Sequence, residues 1–151
     1  MPNNLKWCTG LKDGLRIVEP DEALAKSYLE EAKSSLKRAE KNFQDKDLLW
    51  TTVVIYYAEY YALYAFLQRI GIKCENHLCS ILAVTELLGG EKTQLIHEHK
   101  EKRIDAQYYI RVGKEEQVGK MLQDAKRFVA EFDISVSDLT DKEIENYRVK
   151  F

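Results

Sequence analysis

The sequence predicts an all-α protein: an antiparallel up-and-down bundle of four to five main helices plus a short C-terminal helix. Three observations lead there. The stretch Leu48 to Ile70, LLWTTVVIYYAEYYALYAFLQRI, is hydrophobic on every side, and Glu59 is the single charge between Leu48 and Leu67. Segments on either side of it repeat apolar residues at spacings of three and four. Prolines number 2 and glycines 7, and no segment alternates apolar with polar residues between turn signals, so no sheet is expected.

The first 18 residues have no clear period, and Gly10 and Gly14 break them. They read as an N-terminal arm that Trp7 and Val18 tack to the body. The first helix is expected over about 20–44, with Pro20 in its first turn and Asp21 and Glu22 near the positive end of its dipole. Leu24, Tyr28, Ala32, Leu36, Ala39 and Phe43 make its core stripe, and Glu22 and Lys26 are spaced to pair. Asp45-Lys46-Asp47 turns the chain into the tyrosine-rich helix, which Gly71 caps in the left-handed region.

A third helix follows the N-cap Asn76, carries Leu78, Ile81, Leu82 and Leu88, and stops at Gly89-Gly90. A fourth, more polar segment spans about 92–110, with Leu95, Ile96, Ile104, Tyr108 and Tyr109. After Gly113, residues 114–133 place Val118, Met121, Leu122, Ala125, Phe128, Val129 and Phe132 on one face. Thr140 with Glu143 forms a capping box and Leu139 with Ile144 a hydrophobic staple, which together start a helix over 141–148. The organisation expected is an arm (1–18), a helical bundle (19–135) and a capping helix (136–151).

The chain has 151 residues, enough for one domain with a core that depends on neither disulfide nor metal. Charged residues at 32% and hydrophobic ones at 45% exclude a disordered chain. A net charge of −2 does not demand a nucleic-acid partner, although a local groove can still be basic. The start, MPNNLKWCTG, lacks the apolar segment of a secretory leader. Cys8, Cys74 and Cys79 are an odd number, so a cytoplasmic location with free thiols is expected. Leu48–Ile70 is long enough for a bilayer. Its five tyrosines and its carboxylate would lack partners in hydrocarbon, and its flanks carry no charge asymmetry. No membrane span is expected. The helix is expected to pack in its own bundle on one side and against a partner subunit on the other.

Several groups are candidates for chemistry. Glu59, among tyrosines, is read either as a structural contact with a phenol or arginine or as part of a polar site at a subunit interface. Cys74, His77 and Cys79 lie together in CENHLC, but not at a standard zinc spacing. The plain reading is two small semi-buried thiols and a helix-start histidine. His97 and His99, in HEHKEKR, are expected on a solvated surface. No Gly-rich phosphate loop is present, because Gly89-Gly90-Glu91-Lys92 lacks the spacing. In RIDAQYY and the residue two beyond it, Arg103, Tyr108 and Arg111 are able to hold a phosphate and stack a base. Equally, Arg103 could pair with Asp105 or Glu59, with the tyrosines filling the bundle end.

Taken together, YYAEYYALYAFLQRIGIKCENH, the Arg103–Ala106–Tyr108 series and MLQDAKRFVAEF resemble the HEPN family. The likeness is strongest to stand-alone prokaryotic members paired with minimal nucleotidyltransferases, and it covers about 20–133. It implies a bundle of four or five helices, usually dimeric, with catalytic members acting as metal-independent ribonucleases and often as toxins. Neither a cofactor nor a metal is expected. The family signature is an arginine followed four to six residues later by a histidine. Here no histidine follows Arg103, and Ala106 or Tyr108 takes its place. Without that imidazole, the usual acid–base partner is missing.

The expectation is a homodimeric module, in a toxin–antitoxin-like context, that binds nucleotide, RNA or a nucleotidyltransferase. Arg103 and Arg111 would contact phosphate, Tyr56, Tyr60 and Tyr108 would stack or donate, and Glu59 and His77 would line the site. The alternative is a metal-independent ribonuclease toxin with Glu59, His77 or Tyr108 as proton carrier. A third reading is a protein-docking partner without nucleotide affinity.

Overall fold

The computed structural model describes residues 4–151. In chain order these form α1 (Leu5–Gly10), β1 (Arg16–Ile17), α2 (Glu22–Gln44), α3 (Leu48–Ile70), β2 (Ile72–Lys73), α4 (His77–Leu88), α5 (Gln94–Tyr109), α6 (Glu115–Ser137) and α7 (Asp141–Arg148). A single 3-10 turn, Gly90–Lys92, joins α4 to α5. The bundle is all-α apart from one two-residue ladder.

The central element is α3, and α2, α4, α5, α6 and α7 all pack on it. Tyr56, Glu59, Leu63, Phe66, Leu67 and Ile70 are essentially closed to solvent. Each buried apolar side chain of this size contributes about 1.5–3 kcal/mol, so α3 dominates the core. Its uniform hydrophobicity is satisfied inside one chain. Leu48, Leu49, Val54, Tyr57, Tyr61 and Arg69 are its half-buried positions, with Trp50 exposed near its start. The all-round apolar pattern therefore does not itself call for a second subunit. Among the described residues no helix is long and apolar enough to cross a membrane.

The boundaries follow local chemistry. Asp21, Asp47, Asn76 and Thr140 each accept a backbone N–H as an N-cap, and Gly71 caps α3 at φ 81°. The capping box of Thr140 and Glu143 forms, and Leu139 and Ile144 both join the core. Below α3, Arg148 Nη1 donates to the carbonyls of Val18, Ile70 and Gly71 at 2.7, 2.8 and 3.2 Å. One guanidinium thus ties α7, the arm and the end of α3 together.

Four expectations are corrected here. Pro20 lies just outside α2, because Asp21 takes the cap and forces the helix to begin at Glu22. Leu24 is exposed, and Ala25, Leu29, Ala32 and Ala39 carry the buried stripe. The sheetless prediction fails at one place: Arg16 pairs with Lys73 and Ile17 with Ile72, antiparallel. Two residues per strand are too few to leave an alternation in the sequence.

The cysteines are the fourth correction. Cys8 and Cys79 are joined by a disulfide, and Cys74 alone is free. The disulfide fastens the arm, whose first three residues lie outside the described ones. The rest of the arm holds α1 and a strand. Leu15 is buried, and Glu75 donates its N–H to the Asp13 carbonyl at 3.0 Å.

Candidate functional site

Two helices supply the site, and their registers explain its composition. On α3, Tyr56, Glu59 and Tyr60 share a face at spacings of three and four. On α5, Ile96, His99, Arg103 and Ala106 do the same and are the buried residues of that helix. Where these faces meet, polar groups face each other across the core. α4 adds His77 and Ser80 from its first turn.

Glu59 is fully buried, and His99 closes on it: Nδ1 donates to Oε2 at 2.8 Å and lies 3.0 Å from Oε1. Burial raises the Glu59 carboxyl to about 7, against the pull of the His99 hydrogen bond and charge, with Asp124 adding to the rise. The expected phenol or arginine partner is therefore corrected to a histidine. So is the solvated position of His99, which is only 4% exposed. His97, on the other side of the helix, is half-buried, and burial lowers its pKa.

One turn further along α5 stands Arg103, 8% exposed. Its guanidinium carbon lies 4.9 Å from the Tyr56 ring centre and 5.7 Å from that of Tyr57. Nη1 donates to Gln107 Oε1 at 3.2 Å, and Nε is buried with no partner. Arg103 joins none of the ion pairs among the described residues, with neither Asp105 nor Glu59 on it. A buried cation without an anion is costly, and an unsatisfied buried donor adds to that cost.

His77 completes the cluster. Its ring stacks on Tyr60 at 3.8 Å between centres, and its Nδ1 lies 3.0 Å from the Tyr56 hydroxyl. Burial, then the charges of Arg103 and Lys100, lowers the His77 pKa, so the ring is neutral near pH 7. Burial raises the Tyr56 hydroxyl, which keeps its proton. Tyr56 therefore donates to Nδ1, and His77 carries its own hydrogen on Nε2. Tyr60 donates to Ser80 Oγ at 2.9 Å, and Ser80 donates to the Asn76 carbonyl at 3.1 Å, which fixes the start of α4 beneath the imidazole.

The expected residues thus separate into two groups. Arg103, Tyr56, Tyr60 and His77 come together, and Glu59 sits one turn away through His99. Tyr108 is 65% exposed and Arg111 lies against Tyr109 at 5.5 Å, so neither shares the buried cluster. Both belong to the run Tyr108-Tyr109-Ile110-Arg111-Val112, whose large apolar members are all exposed. Ile110 ends α5 at φ 53°, a left-handed conformation that a β-branched residue adopts at a cost of about 1–2 kcal/mol. Sequence reasoning missed His99, Tyr57 and Gln107. The first was findable, because His99 shares the three-and-four register of Ile96, Arg103 and Ala106. The CENHLC set does not gather as ligands, since Cys79 is bonded to Cys8, and burial raises the Cys74 thiol.

The family model described as HEPN domain matches residues 25–135, and the chain belongs to that family. No curated protein matches the chain.

Proposed function

We propose that this HEPN-family chain is a phosphate-reading module that binds a nucleotide or an RNA strand through Arg103. It acts as a homodimer and works beside a minimal nucleotidyltransferase, in a toxin–antitoxin-like setting. The observation that carries the reading is the Arg103 guanidinium: buried, flanked by tyrosine faces, and without a carboxylate, with Nε unsatisfied. A phosphate at the guanidinium supplies the missing charge. Tyr57, half-buried beside it, offers a ring face for a base. Support for the dimer comes from the family and from the exposed side chains of Tyr108, Tyr109, Ile110 and Val112 at the end of the Arg103 helix. In this reading the arm (1–18) and the last helix (136–151) brace the bundle.

A second reading, metal-independent RNA cleavage, draws on one observation. A neutral imidazole, His77, is oriented by Tyr56 in the same cluster as Arg103. It stands in for the histidine that the Arg103 motif lacks.

Both readings are tested by incubating the protein with a mixed RNA pool under chelation, beside Arg103→Ala and His77→Ala. Retention without cleavage, lost in Arg103→Ala, supports the binding module. Cleavage that both variants lose supports the enzyme. Neither retention nor cleavage by the unaltered protein refutes the phosphate reading.

A further inference from the structure

Beyond α5 the chain opens a second concavity of about 140 Å³. Its walls are Thr52 of α3, Lys102 of α5, Arg111 and Gly113 of the connecting loop, and Gln117 and Met121 of α6. Two cations line it and no carboxylate does. The two larger concavities, each about 300 Å³, are mixed: Glu22, Glu30 and Asp133 line one, and Glu91, Asp124 and Glu131 the other. Neither Lys102 nor Arg111 is in an ion pair among the described residues.

Among the remaining polar groups of the wall, Gln117 is turned to donation. Gln117 Oε1 already accepts the Lys114 N–H at 2.9 Å, which leaves the amide NH2 of Gln117 to donate. The Thr52 hydroxyl spends its hydrogen on the Leu48 carbonyl at 2.8 Å. Lys114, which has no acceptor in its side chain, stands at the N-cap of the 23-residue α6. The carboxylate of Glu115 is drawn off by Lys46. The Tyr109 ring backs the Arg111 guanidinium. A pocket with cations and amide donors, and no acidic side chain in its wall, selects an anion of tetrahedral size.

Lys102 immediately precedes Arg103 on α5, rotated by about 100° around the helix. A ligand lying across this end of α5 meets both. We infer that the Lys102–Arg111 pocket is a second phosphate subsite, and that the ligand carries at least two phosphate groups. The inference rests on the reading of Arg103 as the first. The second phosphate comes either from the next nucleotide of an RNA strand or from the polyphosphate of a free nucleotide.

The test uses the full chain and the double variant Lys102→Gln, Arg111→Gln. Both positions are exposed, and a thermal melt checks that the fold is kept. The probes are a fluorescein-labelled oligoadenylate, ATP and AMP, titrated over a range of salt. For the oligoadenylate, the double variant should bind about tenfold more weakly, and its salt slope should fall by about 0.7, the value for one lost phosphate contact to a single strand. AMP, with one phosphate, should bind as before. An equal loss for ATP assigns the second phosphate to a nucleotide, and a loss for the oligoadenylate alone assigns it to a strand. Unchanged affinity and slope in the double variant, with binding still lost in Arg103→Ala, overturn the subsite and leave the Arg103 reading standing. No binding of any probe by the unaltered protein overturns both.

Discussion

Opening the Cys8–Cys79 bridge is the perturbation with the best-defined size. The two residues are 71 apart in the chain and both are fully buried. In the chain-entropy account, releasing a loop of that length lowers stability by about 4.4 kcal/mol at 25 °C. Unfolding entropy of about 2.1 cal/mol/K per residue, taken over the 151 residues of the chain, converts this to a fall of roughly 14 °C in Tm. The arm retains its ladder to β2, buried Leu15 and the bond from Val18 N–H to the Gly71 carbonyl at 2.8 Å. The reduced protein should therefore still fold, and melt earlier. The assay is a circular-dichroism melt of oxidised and reduced protein, with thiols counted in denaturant. Before reduction only Cys74 should react, and afterwards all three cysteines should. Three reactive thiols without reductant, or identical melts, would refute the reasoning.

Two further predictions concern the core. Glu59, raised by burial from 4.5 to about 7, binds its proton more tightly folded than unfolded. The resulting stabilisation is complete below the unfolded value and is lost as pH rises through the folded one. The stability of the protein relative to Glu59→Gln should therefore drop by on the order of 3 kcal/mol between pH 4.5 and 7. Denaturant titrations across that window check it, and a flat difference would contradict it. At Gly71, φ is 81°, and an added Cβ would run into Arg148 Nη1 and the Val18 carbonyl oxygen. Gly71→Ala should lose about 2 kcal/mol or more, and an unchanged melting temperature would disprove the tie through Arg148.

Much of the fold was legible because helices leave a period. Asp47, Asn76, Gly71 and the Thr140–Glu143 box mark ends by short-range chemistry, which is written locally. The site was half legible. Arg103, Tyr56, Tyr60 and His77 stood out as residue types, and the fold gathers them. The His99–Glu59 pair crosses 40 residues and joins two helices whose mutual rotation no local pattern sets. The charged neighbours of His99 suggested a solvated surface, whereas its register with Ile96 and Arg103 set its burial. The disulfide was obscured by the odd cysteine count, which a single buried thiol, Cys74, explains. Leu24 misled because the stripe could be drawn through it or through Ala25, and only the packing of α2 on α3 chooses.

The most direct test of the account is the affinity of a labelled single-stranded RNA for the protein and for Arg103→Ala, measured by fluorescence anisotropy under chelation. Loss of a buried guanidinium's charge-assisted contacts, worth about 1.5–3 kcal/mol, predicts binding at least about tenfold weaker. The variant should keep its melting transition, since it sheds an unpaired buried charge. Equal affinity in the two proteins would show that Arg103 does not read phosphate.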